Sequence, residues 1–156
     1  MQDFTSRHSH FMHQAILEAR QAAREDEVPV GAVLVDCNGS LLARAHNQMV
    51  TRCDPTAHAE ILAIRSASRV IGNYRLLDTC LYVTVEPCIM CMGAISLARV
   101  GTLVYGAGDP KGGAAGSCYD LAANPCLNHI VEVHGGVLEE ECRNLIQAFF
   151  QRKRKK

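Results

Sequence analysis

Apolar residues recur at helical spacing from about Ser9 to Asp26, at Met12, Ile16, Ala19 and Ala23, and Pro29 stands just beyond, so the pattern predicts an opening helix. The period then changes. In VGAVLVDCNGSLLARAHN, two Val- and Leu-rich runs flank Asn38-Gly39, a pair that accepts the positive φ of a tight turn, and they predict two antiparallel strands. QMVTRCDPT reads as a loop. After Pro55 the helical period returns through HAEILAIRSASRV, with Thr56 as the expected cap and Gly72-Asn73 as the stop.

TCLYVTV is nearly continuous in apolar and β-branched residues, the pattern of a strand buried on both faces. EPCIMCMGAISLAR follows as a helix with Pro87 near its first turn, and GTLVYGA is the next strand. GDPKGGAAGS is too rich in glycine for regular structure, whereas CYDLAANP has room for one or two helical turns. HIVEVHGG predicts a last strand and EEECRNLIQAFFQRKRK a final amphipathic helix. Strands alternating with helices predict a three-layer α/β/α domain around a five-stranded mixed sheet, its third to fifth strands parallel and the hairpin strand antiparallel at one side.

Composition changes this picture little. At 156 residues, 48% hydrophobic and 21% charged, the chain fits one domain over residues 1–156. Basic and acidic side chains both number 16, so no global charge points to a polyanion. The run Arg152–Lys156 is a local basic end, read as a solvated tail unless another feature indicates an anionic partner. No apolar run has signal-peptide or membrane-spanning length, so the expectation is a soluble cytoplasmic protein with no membrane partner. The eight cysteines are then thiols or thiolate ligands, with Cys37, Cys53, Cys80, Cys118, Cys126 and Cys142 expected as small hydrophobes or surface thiols.

The remaining polar signals sit at two predicted helix starts. His58 and Glu60 open one helix; Cys88 and Cys91 open the next. Cysteines three apart share a helical face, and His58 from the neighbouring start can add a nitrogen, giving three ligands for zinc. Helix N-termini also favour the thiolate form. Cys53 or Cys80 is available to close a structural four-ligand site, but neither stands at ligand spacing. Residues two apart on a helix diverge by about 200°, so His58 and Glu60 converge only over the helix end. A glutamate not needed as a ligand is free to act as acid and base. Three ligands with an open position lower the pKa of a bound water toward ~7, which predicts hydrolytic chemistry. The combination H-A-E and P-C-x-x-C is the known signature of zinc nucleobase deaminases.

VPVGAVLV, DPTAHAEILAIR, NYRL, LYVTVEPCIMCMGA, GAGDPKGGAAGS, NH and FFQRKRKK resemble, in order and spacing, the bacterial tRNA-specific adenosine deaminases, which convert a wobble adenosine to inosine. The resemblance runs from about Val28 to Lys156. It implies a cytidine-deaminase-like α/β fold, one Zn²⁺ per chain on His58, Cys88 and Cys91, and Glu60 as the proton shuttle. It also implies that Asn47, the Ala59 amide and the Pro87 carbonyl hold the base. Asp109, Lys111 and the adjoining glycines would meet flanking ribose and phosphates, with Phe149, Phe150 and Arg152 supplying stacking and charge. The implied partners are a tRNA anticodon stem-loop and a second copy in a homodimer. Two other readings stay open on the sequence: a free nucleobase or nucleotide deaminase on the same fold, and a zinc-stabilised RNA-binding module without catalysis.

Overall fold

The computed structural model describes residues 2–156. The elements are α1 (Gln2–Arg24), β1 (Gly31–Asp36), β2 (Leu41–His46), α2 (Met49–Arg52), α3 (Ala59–Ile71), β3 (Thr79–Val85), α4 (Ile89–Leu97), β4 (Thr102–Ala107), β5 (Glu132–His134) and α5 (Glu139–Arg154). They build one sheet in the order β2-β1-β3-β4-β5. β1 runs against both neighbours, and β3, β4 and β5 are parallel, as the hydrophobic pattern predicts.

Both faces of the sheet are covered. Ala32 and Leu34 of β1 join Leu81, Val83 and Leu103 under Ala63 and Ala67 of α3 and Met92 and Ile95 of α4. The alternate residues Val33 and Val35 join Tyr82 and Val104 under Met12, Ala15 and Ile16 of α1 and Cys142 of α5. This two-sided burial is why β1 and β3 lack polar alternation. The α1 backbone lies directly on the start of β1: a Cβ on Gly31 would overlap Ala15 O. At the hairpin, Gly39 takes φ +84°, and Asp36 Oδ1 accepts the Asn38 and Ser40 amides.

Several boundaries depart from the sequence expectation. The first helix starts at Gln2 rather than near Ser9, because its opening turns carry too few apolar residues to register as a period. The loop 48–56 contains the single turn α2, closed by Cys53 in the left-handed region. Thr56 does not cap α3; its hydroxyl donates to Asp54 Oδ1 at 2.7 Å, and His58 occupies the cap position. Gly72 does close that helix, at φ +74°. Residues 118–125 form no helix, their backbone being drawn instead to the glycine-rich loop through the Cys118 N–H to Gly113 O bond and the Ala115–Asp120 bridge. All eight cysteines are free. Among the described residues, no helix is long and apolar enough to cross a membrane.

Candidate active site and metal centre

The rim formed by the ends of β3 and β4 receives the N-termini of α3 and α4, the usual place for a site in a sheet of this kind. His58 and Cys88 are the two N-cap residues, both with extended backbone, and neither side chain caps its helix. The imidazole and the thiol face one another instead. His58 Nδ1 lies 3.7 Å from Cys88 Sγ and 3.5 Å from Cys91 Sγ, and all three atoms fall within 4.8 Å of one another. A tetrahedral zinc ion with ordinary bond lengths holds nitrogen and sulfur about 3.5 Å apart, so the donor set and its spacing fit that ion. Cys53 and Cys80 do not belong to the cluster.

The electrostatics point the same way. Hydrogen bonds from Cys91 and then His58 pull the Cys88 thiol down to about 3, and the Cys88 bond holds the His58 imidazole above its usual value. Cys91, sharing the Cys88 anion and buried, is pushed upward. The cluster by itself therefore supports one thiolate beside a thiol, and a divalent cation is what allows both sulfurs to ionise. Glu60 is buried at 3% exposure, and its Oε2 has no hydrogen-bond partner. Burial pushes its carboxyl up to about 7, where it can both take and give a proton near neutral pH.

His58, Glu60 and Cys88 open into a cavity of about 690 Å³ that Asn47, Asp109, Lys111 and Phe150 also line. Four of the residues singled out for substrate binding are thus brought together. Pro87 is adjacent in the chain to Cys88, and its carbonyl accepts the Ala114 N–H at 2.8 Å. The Ala59 N–H has a different partner from the expected base edge: it donates to Asn47 Oδ1 at 2.8 Å. Phe149 and Arg152 also lie elsewhere. Phe149 is buried at 5% exposure, with Arg152 and Lys153 each 5.5 Å from its ring centre. Arg152 reaches Ala23 O of α1 and Asp26 just beyond that helix, and Lys153 Nζ is 2.6 Å from Asp26 Oδ2. The face of α5 that lines the cavity is instead Arg143, Ile146, Gln147 and Phe150. Counting back by three and four from Phe150 finds those residues; the FFQR run alone points to the wrong face.

Motif reasoning also passes over Glu86. It is buried, lines the cavity and accepts the Ala115 and Ser117 amides at 3.2 Å and the Ser117 hydroxyl. A charged residue between an apolar strand and Pro87 is the only sign it leaves in the sequence.

A three-layer sheet whose rim presents a His/Cys/Cys cluster beside a buried carboxyl defines the zinc-binding deaminase class, and residues 5–107 match the family model of the cytidine and deoxycytidylate deaminase zinc-binding region. Within that class the chain belongs to the tRNA-specific adenosine deaminase family. It is 50% identical over 146 residues to the tRNA-specific adenosine deaminase of Bacillus subtilis (strain 168), covering 94% of this chain and 90% of that one. A solved structure from a study of A-to-I editing by tRNA:A34 deaminases at the wobble position superposes with a TM-score of 0.84 at 48% identity, over 87% of this chain and 98% of its own. A guanine deaminase from Nitrosomonas europaea shares the fold at 24% identity, with a TM-score of 0.75 over 90% of this chain and 83% of its own.

Proposed function

We propose that this chain hydrolytically deaminates adenosine to inosine at the wobble position of a tRNA anticodon, with one Zn²⁺ per chain held by His58, Cys88 and Cys91. The observation that carries the reading is the unpartnered, buried Glu60 Oε2 beside a donor set spaced for a tetrahedral ion. The 50% identity to a tRNA-specific adenosine deaminase selects the substrate among the chemistries this fold supports. Bound there, zinc supplies a Lewis acid that makes water nucleophilic near neutral pH.

Glu60 takes a proton from the attacking water and delivers it to N1 of the adenine, which makes C6 electrophilic. The water oxygen bonds to C6, Glu60 then carries the remaining proton from that oxygen to the amine, and the C6–N bond breaks to release ammonia and leave the C6 carbonyl. The side chain of Asn47 and the Pro87 carbonyl orient the base. Asp109, Lys111 and Phe150 line the mouth, where they meet the sugar, the phosphates and a neighbouring base. A stacked adenine cannot reach this depth, so the nucleotide is splayed out of the loop, at a cost that is least where it is unpaired. We further infer that residues 1–156 act as one deaminase domain in the cytoplasm and as a homodimer. Exposed Tyr74 and Leu97, which line an apolar groove with Ile61, Ile64 and Ala94, support the pairing.

The test is incubation of the zinc-loaded protein with a stem-loop bearing adenosine at the wobble position, followed by sequencing of the product. Inosine at that position alone is expected. Ammonia released from free adenine, guanine or cytidine, with none from the stem-loop, overturns the reading.

A further inference from the structure

Beside the catalytic cavity lies a second groove, of about 530 Å³, between β2 and α3. Four exposed arginines, Arg44, Arg52, Arg65 and Arg69, line it. The chain is balanced at 16 basic and 16 acidic residues, so this is a local excess that composition does not require. Among the described residues, none of the four is in an ion pair. The acid lining the groove, Glu18, is bound to His46 Nδ1 at 2.9 Å. Asp54, which feels Arg65 and Arg52, has its carboxylate held by the Thr56 amide and hydroxyl.

Arg65 and Arg69 are four apart on one helix, an arrangement in which like charges repel. The free protein thus keeps four cations together with none of them in an ion pair, the nearby carboxylates of Glu18 and Asp54 being held by other partners, and an external anion relieves the repulsion. Guanidinium forks match phosphate oxygens in particular. Along α3 the two arginines are separated by about 6 Å, and Arg69 stands about 13 Å beyond Glu60. The groove therefore runs away from the active site. The segment dividing them alternates: Asn47 and Met49 line the cavity, while His46 and Gln48 line the groove. Arg52 is held at this junction by its Nε donating to Gln48 Oε1 at 2.6 Å.

We propose that this arginine groove is a second binding surface, for the phosphodiester backbone of RNA, continuing the path of the strand that enters the catalytic cavity. It rests on the reading that the substrate is RNA. The surface adds affinity without reading bases, so it acts equally on any sequence.

The test compares the zinc-loaded parent with an Arg44→Gln/Arg65→Gln/Arg69→Gln variant, titrating full-length tRNA and the anticodon stem-loop at several salt concentrations. Binding should weaken about tenfold or more at low salt. The slope of log affinity against log salt should fall by about 0.7–0.9 for each phosphate that the variant leaves unneutralised. Turnover at saturating RNA should stay within about twofold of the parent, and the corresponding triple Lys variant should restore much of the slope. An unchanged affinity and slope overturns the proposal. So does a change of oligomeric state by light scattering with the slope intact, which assigns the groove to pairing between protein copies. Inosine formation by the parent reports separately on the deaminase reading, and the salt slope alone decides the groove.

Discussion

Asn47 and Ala59, at the end of β2 and the start of α3, are joined by a single 2.8 Å hydrogen bond from the Ala59 amide to Asn47 Oδ1. Ala59 sits between His58 and Glu60, so this bond fixes the backbone from which both side chains project. Asn47 is buried at 4% exposure. Asn47→Ala leaves a buried N–H without a partner, at about 1–3 kcal/mol, and should lower both the denaturant midpoint and the zinc content. Asn47→Asp keeps the acceptor and should retain the fold, yet turn over more slowly because a second carboxylate discourages ionisation of Glu60. Denaturant melts beside an inosine assay check both. An Asn47→Ala protein matching the parent in each would remove the bond from the account.

Glu60 and Cys88 separate the proton-transfer role from the ligand role. Glu60→Gln preserves shape but cannot carry a proton, and turnover should fall by about 10²–10⁴-fold with about one zinc per chain retained. Cys88→Ala should lose the metal, because the two remaining donors are too few to hold it. Elemental analysis run beside the assay is decisive. Zinc lost from Glu60→Gln makes Glu60 a ligand.

The strands and the metal cluster are legible in the chain because each has a short-range signature. TCLYVTV is apolar on both faces because helices cover both, and C-x-x-C places two sulfurs on one helical face. What escapes such reading depends on neighbours distant in sequence. Arg152 reads as an RNA-binding cation in the run QRKRKK, yet Asp26, over a hundred residues earlier, lies against it. Phe149 and Phe150 are neighbours in sequence, and only the docking of α5 decides which is buried and which faces the cavity. Glu86 stands just outside the P-C-x-x-C motif, and only the loop 113–117 folding back onto it gives it partners.

His46 makes stability depend on pH. Burial opposes its charge, but hydrogen bonds to Glu18 and Glu25, each 2.9 Å, outweigh this and raise its pKa above 6.5. The protonated form is thus bound more tightly in the fold. Its contribution is fully present below pH 6.5 and is lost as pH rises through the raised value. On the acid side it persists until the carboxylates protonate, and Glu25 is held below its usual range by Gln21 and then His46. The parent should melt about 2–4 °C above His46→Gln near pH 5.5, with the gap closing by about pH 9. Calorimetry across this range checks the sign; a gap that widens with pH contradicts it.

Glu86 should set substrate affinity through the glycine-rich loop. Its carboxylate accepts the Ala115 and Ser117 amides and the Ser117 hydroxyl, and the next amide along, Ala114 N–H, donates to Pro87 O at 2.8 Å. These bonds tie the loop carrying Asp109 and Lys111 to the strand that leads into Cys88. Gly113 is part of the same fit, since a Cβ there would overlap the Glu86 carboxylate. Glu86→Gln keeps the volume and can still offer an oxygen to both amides with its NH₂ turned to the Ser117 hydroxyl, but it removes the charge that strengthens these bonds, at about 1–3 kcal/mol in all. Gly113→Ala displaces the carboxylate by sterics instead. Both changes loosen Asp109 and Lys111 while leaving His58, Cys88, Cys91 and Glu60 in place. KM for the stem-loop should rise several-fold in each, with zinc content retained and kcat falling less than KM rises, because the interaction weakened is mainly one of binding. Steady-state kinetics with metal analysis measures this, and a fall in kcat at constant KM in both variants would place Glu86 in the chemical step instead.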